Sequence, residues 1–167
     1  MAHYFTGPDV AGINLERCDT TAQHRLGQVV EGVQADGTWG RYRYVQFVDA
    51  VAYTAGDVVT AASATTWAVS NDRAGGSALA KLYPVGVVFQ ATVPTQNQYG
   101  WVQIAGIATV RIGSAAVIAG DELMPDSSED GEAEEATAGT HENILGIALA
   151  TIADNATGRV MLMLRGA

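Results

Sequence analysis

From Tyr42 onward the chain alternates short apolar stretches with turn residues, the pattern of strands rather than of an amphipathic helix. Tyr42 to Val51 is rich in aromatic and branched side chains and predicts a half-buried strand. Ala55-Gly56-Asp57 then predicts a tight turn, where Gly takes positive φ without steric cost and Asp accepts bonds from nearby N–H groups. Val58-Val59 resumes a strand, a long polar loop follows, and Val85 to Ala91 with Tyr99 to Ile104 form a hairpin-like pair. The order recurs with Thr109 to Ile112, Ala119-Gly120-Asp121, Leu123-Met124, Leu145 to Thr151 and Gly158 to Leu164.

The recurrence extends to sequence. Val45 to Asp57 lies over Thr109 to Asp121 with matches at Ala52/Ala116, Ala55/Ala119, Gly56/Gly120 and Asp57/Asp121. Pro84 to Phe89 answers Ile144 to Leu149, and Tyr99 to Ile104 answers Thr157 to Leu162. Order and spacing together mark an internal repeat. The fold class expected is therefore all-β, a sandwich or barrel made from a tandem duplicated strand-turn-strand unit, with copies at about 42–104 and 106–164. Residues 1–41 stand outside the repeat as an extended N-terminal arm and an entry hairpin, with residues 42–167 as the β domain. Gly7-Pro8-Asp9, Gly12, Gly27 and Gly32 break the leader into short pieces. Leu15, Cys18, Ala22 and Leu26 would line one side of a short helix, Leu26 and Gln28 to Val30 read as a strand, and Ala35-Asp36-Gly37 reads as a hairpin turn. Apolar Tyr4, Phe5, Val10, Ile13 and Leu15 cannot form a core within so broken a segment. They are expected to pack on the β domain or on a partner, and removal of residues 1–20 to leave that domain folded.

Composition narrows the class. At 167 residues, 48% hydrophobic and 16% charged with 19 Gly, the chain favours short strands and turns and can bury a core. No apolar run approaches the length of a membrane span, and the first residues lack the basic and apolar regions of a secretory signal. A lone cysteine, Cys18, allows no intrachain disulfide and fits synthesis in a reducing cytoplasm, as a buried small residue. The net charge of −9, with half of the acids between Asp121 and Glu142, opposes binding to phosphate backbones, so no nucleic-acid partner is expected.

Reactive chemistry finds no anchor. Asp126, Ser128, Asp130 and Gly131 begin like a calcium loop, but Thr137 stands where the bidentate carboxylate belongs, so a solvated acidic hairpin tip is expected. His3, His24 and His141 lack metal-ligand spacing, no serine lies in a nucleophile elbow, and Gly75-Gly76 lacks the lysine of a phosphate loop. Lys81, the one lysine, sits among Ala80, Leu82 and Tyr83, unlike the exposed lysine of a swinging-arm carrier. The expectation is no enzyme, no cofactor and no metal. Trp39, Tyr42, Tyr44, Phe47 and Tyr53 crowd five of twelve aromatics into fifteen positions, and suit either a core or an interface.

The broken arm, Leu26-Gly27-Gln28-Val29 running to Ala35-Asp36-Gly37, the Tyr42-Arg43-Tyr44-Val45 strand, and the Ala-Gly-Asp and Gly-Ile-Ala-Leu turns together resemble the head decoration, or cement, proteins of tailed bacteriophages. The resemblance covers most of residues 20–164. It implies a virion protein made in the host cytoplasm that sits on the outer capsid surface as a homotrimer, with the major capsid protein as partner. Such a protein bridges neighbouring shell subunits and stabilises the shell, and Tyr4, Phe5, Val10, Ile13 and Leu15 would be its capsid-binding arm. The loops at 61–82 and 125–143 have no counterpart in that family. Two other readings stand beside it: a tail or fibre module binding surface glycans through Trp67, Trp101 and the acidic loop, with calcium, and a ring-forming tail-tube or head-completion subunit.

Overall fold

A computed structural model describes residues 9–10 (backbone only), 13–33, 37–50, 52–63, 65–72, 83–90, 94–136 and 143–164. All regular elements among them are strands: β1 (Asp9–Val10), β2 (Ile13–Asn14), β3 (Val29–Val33), β4 (Trp39–Phe47), β5 (Val58–Ala61), β6 (Ala68–Ser70), β7 (Pro84–Val87), β8 (Tyr99–Arg111), β9 (Glu122–Pro125), β10 (Ala133–Glu135), β11 (Gly146–Ala148) and β12 (Thr157–Met163). The protein is all-β. Antiparallel β3 and β4 form the entry hairpin, from Val29 opposite Arg43 to Val33 opposite Trp39. Gly37, next to the loop between them, has φ 85°.

Five strands close on themselves. β4 pairs with β8, β8 with β7, β7 with β5, β5 with β6, and β6 returns to β4 through a parallel register at Gln46–Ala68 and Phe47–Val69. Closure leaves this barrel without an exposed edge. The same circuit then runs again with the C-terminal part of β8 in place of β4. That part pairs with β12, β12 with β11, β11 with β9, β9 with β10, and Ala133 of β10 makes a parallel bridge to Ile112 at the end of β8.

The two circuits share β8, which runs unbroken for 13 residues. Its change of role falls at Ala105 and Gly106, which lie opposite Arg41 and Gly40 on one side and Met163 and Leu162 on the other. Gly106 has φ 92°, and a Cβ there would collide with the Trp39 carbonyl oxygen, so only glycine fits. One hydrophobic core spans both units, from Val45, Phe47, Val69, Val102 and Ile104 to Val110, Leu123, Leu145, Val160 and Leu162.

A buried polar joint ties the units together beyond β8. Asp57, fully buried in the first unit, receives Arg111 Nη1 at 2.6 Å and Asn71 Nδ2 at 3.0 Å. Arg111 also binds Glu132 of the second unit at 2.5 Å. Backbone bonds reinforce it: Val58 N–H donates to the Gly131 carbonyl (2.7 Å) and Gly131 N–H to the Asn71 carbonyl (2.9 Å). Burial pushes the carboxyl pKa of both Asp57 and Glu132 above the ordinary range, even with Arg111 drawing them down.

Several sequence expectations are corrected. The polar stretch after Val59 contains β6, and the acidic stretch after Pro125 contains β10. The acidic hairpin is not simply solvated: Asp126 and Glu132 are buried, and Arg111 supplies the cation that the segment itself lacks. No helix forms at Leu15 to Leu26, where the chain runs as turns with one bridge from Asp19 to Tyr99. The strand expected from Tyr42 to Val51 ends at Phe47.

Candidate interaction surface

Each unit has an outer sheet face, and the two faces are built on matching registers. In the first, Tyr42 lies opposite Gln103, Tyr44 opposite Trp101 and Gln46 opposite Tyr99, with Val87 beside Gln103. In the second, Ile107 lies opposite Met161, Thr109 opposite Arg159 and Arg111 opposite Thr157, with Ile147 beside Met161. The repeat thus sets Arg159 in the place of Trp101, Met161 in that of Gln103 and Leu149 in that of Phe89. The strand register sets Thr109 in the place of Tyr44 and buried Val110 in that of Val45, one residue off the overlay of Val45 on Thr109 expected from the sequence.

The first face is covered by the chain's own leader. Tyr42, Tyr44 and Trp101 are buried together with Leu15, which is 1% exposed, and Ile13, Leu26, Val30, Phe89 and Tyr99 pack around them. His24 sits over Tyr44 and Trp101 at ring separations of 5.1 and 5.2 Å. Asp19 exchanges two backbone bonds with Tyr99, at 2.9 and 2.8 Å, and Gln23 N–H donates to the Tyr44 hydroxyl at 3.1 Å. The leader passes beside Gly100, where a Cβ would stand 3.3 Å from Phe47 Cε2 and at ordinary contact distance, 3.4 Å, from Cys18 Sγ. Burial, then the neighbouring Asp19, pushes the Cys18 thiol to about 11, so it is a packed side chain without thiolate character at neutral pH.

The second face carries no such cover among the described residues. Met163 is 55% exposed, Leu149 44% and Met161 37%, with half-buried Ile107 and Ile147 between them. A groove of about 390 Å³ opens beside them, lined by Ile107, Leu149, Thr157, Arg159 and the stretch from Ala150 to Ala153. Farther along the sheet, on the entry hairpin, Val33 and Trp39 are exposed and paired with each other. The burial of β8 records the difference: residues 100–104 are buried without a break, whereas 105–111 alternate. A contiguous apolar patch on the solvent side of a sheet is a candidate binding surface.

The residues singled out in the sequence are scattered by the fold. Tyr4 and Phe5 lie outside the described residues, and Val10 belongs to β1. Ile13 and Leu15 turn inward onto the first unit. Truncation at residue 20 would strip Leu15 from the smaller core cluster, and is expected to cost stability as well as any contact the arm makes. Of the two tryptophans weighed for glycans, Trp101 is 1% exposed, and Trp67 has the Arg43 guanidinium 4.3 Å from its ring centroid. They form no shared platform. In the acidic loop Asp126 Oδ1 accepts from Ser128 N–H (2.7 Å) and Glu129 N–H (2.9 Å), and thereby closes a turn. No cluster of three or more His, Cys, Asp or Glu side chains is placed to hold a metal ion among the described residues.

Sequence reasoning missed Ile107, Leu149, Arg159, Met161 and Met163. A signal was present in Arg159-Val-Met161-Leu-Met163, where strand alternation turns Val160 and Leu162 inward and leaves two methionines outside. Comparison with known proteins adds a likeness in shape. No family model and no curated protein matches the chain. The chain is similar to the head fiber gp8.5 N base of bacteriophage phi29, with a TM-score of 0.49 and 13% identity over 73% of this chain and 94% of that one.

Proposed function

We propose that this protein is a structural decoration protein of a tailed-phage head. In this reading it binds the outer surface of the capsid as a homotrimer, bridges neighbouring major capsid subunits and stabilises the shell, without catalysis or cofactor. The observation that carries the reading is the apolar face of the second unit, Ile107, Ile147, Leu149, Met161 and Met163, uncovered among the described residues. The residues of the repeat supply packing and turns, and the sequence resemblance supplies the class of partner. A ligand that binds only the assembled shell stabilises it by mass action. Closed cyclic symmetry is the usual way for a small domain to bridge equivalent subunits.

The test is co-sedimentation with shells of the cognate phage, using wild type and the double variant Met161→Glu, Met163→Glu. Both side chains are exposed, so the variant is expected to fold, with unchanged thermal unfolding, and to lose shell binding. Equal binding of the two proteins sinks the reading. Removal of residues 1–12, which spares Leu15, tests the contribution of Tyr4, Phe5 and Val10 separately.

A further inference from the structure

We propose that Asp126 and Glu132 share one proton, and that this proton closes the neck of the β9–β10 hairpin against the end of β8. The inference does not depend on the function proposed above. The two residues face each other at the neck, where Asp126 N–H donates to the Glu132 carbonyl at 2.8 Å. Their carboxyl groups lie over Gly113, just past the end of β8. A Cβ on Gly113 would collide with Asp126 Oδ2 and stand 3.3 Å from Glu132 Oε2, so both oxygens converge on the space that this glycine leaves. Asp126 is 2% exposed and Glu132 8%, so little water screens one charge from the other.

The bonding around the pair lacks one donor. Asp126 Oδ1 accepts from Ser128 N–H, Ser128 Oγ–H and Glu129 N–H, and these bonds hold Oδ2 toward Gly113. Glu132 Oε1 accepts from Arg111 Nη2, while Glu132 Oε2 is buried without a hydrogen-bond partner among the described residues. A buried acceptor left without a donor destabilises a fold, and so do two carboxylates charged side by side. A proton on Glu132 removes both faults, because it cancels one charge and supplies an O–H for Asp126 Oδ2 to accept. Asp126 already accepts three bonds, so Glu132 is the member that donates. The charges facing Glu132 are Arg111 from β8, Asp57 from the turn before β5, and Asp126 and exposed Glu129 from its own hairpin. Burial and the three acids together outweigh Arg111 and raise its carboxyl pKa above the ordinary range. The neck is therefore tightest in acid, at about pH 4, and loosens as pH rises through that raised value. Loosening reaches β8 and the first unit, since Gly113 N–H bonds to the Ala133 carbonyl and Gly131 N–H to that of Asn71.

Hydrogen exchange of the full chain, corrected for the intrinsic pH dependence of amides, reads the neck at the N–H groups of Gly113, Asp126 and Gly131. Protection in wild type is expected to fall about tenfold or more from about pH 4 to about pH 8. Glu132→Gln keeps an oxygen for Arg111 and offers Asp126 an N–H donor, and Asp126→Asn offers Glu132 the same. Both are expected to hold protection level across that range. Glu129→Gln removes an equal charge from the exposed turn and is expected to leave the fall intact. Near-ultraviolet circular dichroism checks that the variants are folded, and the carboxyl carbon resonance of Glu132 in wild type reads the proton without any substitution. A level wild-type profile, a fall that persists in both neutral variants, or a fall that Glu129→Gln abolishes overturns the proposal. So does a Glu132 resonance that titrates at or below the ordinary carboxylate range. Calcium chloride that restores protection in wild type alone at about pH 8 would put a cation between the carboxylates and overturn the proton.

Discussion

The turns Thr54–Asp57 and Ile118–Asp121 are nearly superimposable in their bonding. In each, Asp Oδ2 accepts from the N–H three residues before it at 2.7 Å, and the Asp N–H returns a bond to that residue's carbonyl at 3.0 and 3.2 Å. In each, glycine holds φ near the same value, 95° at Gly56 and 98° at Gly120. Their surroundings differ. Asp57 is 0% exposed and its carboxylate gathers Arg111 and Asn71, whereas Asp121 is half-buried and its carboxylate bonds, among the described residues, to Ile118 N–H of its own turn. A short motif thus builds the turn by itself, while what the turn does is decided by groups far away in sequence. One is a wedge between units and the other is a plain corner.

Removing the two carboxylates separates these roles most sharply. Asp57→Ala leaves Arg111 facing Glu132 alone and deprives Asn71 and Thr54 N–H of an acceptor. The expected loss is about 3–5 kcal/mol, the usual result of breaking one side of a buried pair. Asp121→Ala forfeits one exposed turn bond and is expected to cost about 1 kcal/mol. Urea denaturation of both variants measures the gap, and equal losses would dissolve the distinction. Next come the glycines. Gly120→Ala meets nothing within 4 Å and isolates backbone strain, about 1–2 kcal/mol. Gly56→Ala adds contact with Arg111 Cγ at 3.2 Å and is expected to cost more; the smaller shift in midpoint at position 56 would show that the wedge gives way freely.

The smallest expected effect is on pH dependence. Because burial raises the pKa of Asp57 and Glu132, the folded chain retains protons that the unfolded chain has released. Their contribution is complete below the ordinary carboxylate range, near pH 4, and is lost as pH rises through the raised values. Asp57→Asn cannot titrate, so its unfolding free energy should decline less than that of wild type from about pH 4 upward. Asp121→Asn changes the net charge equally and serves as the control; a parallel response in both variants would assign the slope to general charge.

Much of this architecture could be read from residue order. Both Ala-Gly-Asp turns, the entry hairpin at Gly37 and the strands around Tyr44, Val58 and Val160 follow from local chemistry. The two short strands β6 and β10 did not, because Ala68-Val69-Ser70 and Ala133-Glu134-Glu135 carry no alternation of their own and are held by their neighbours. Gly106 reads as a break between copies, yet its positive φ lets β8 continue. Arg111 lies 54 residues from Asp57 and 21 from Glu132, so no spacing rule joins them. The candidate interaction surface was the least visible part. The leader drew attention through its aromatic and aliphatic residues, and Leu15 proved to be spent on the first unit, whereas Met161 and Met163 looked like ordinary strand residues.

The shared strand has a mechanical consequence. β8 is a single beam of 13 residues, about 40 Å long at ordinary strand rise, stitched to β4 along one stretch and β12 along the next. Force applied to either unit along that direction loads these ladders in shear, so many hydrogen bonds resist together and none can open first like a zipper. Where two barrels joined by a linker would extend at the hinge, this pair transmits tension through one covalent backbone, with the Asp57–Arg111–Glu132 joint bracing its far end. The pair therefore has no slack to take up before it bears load.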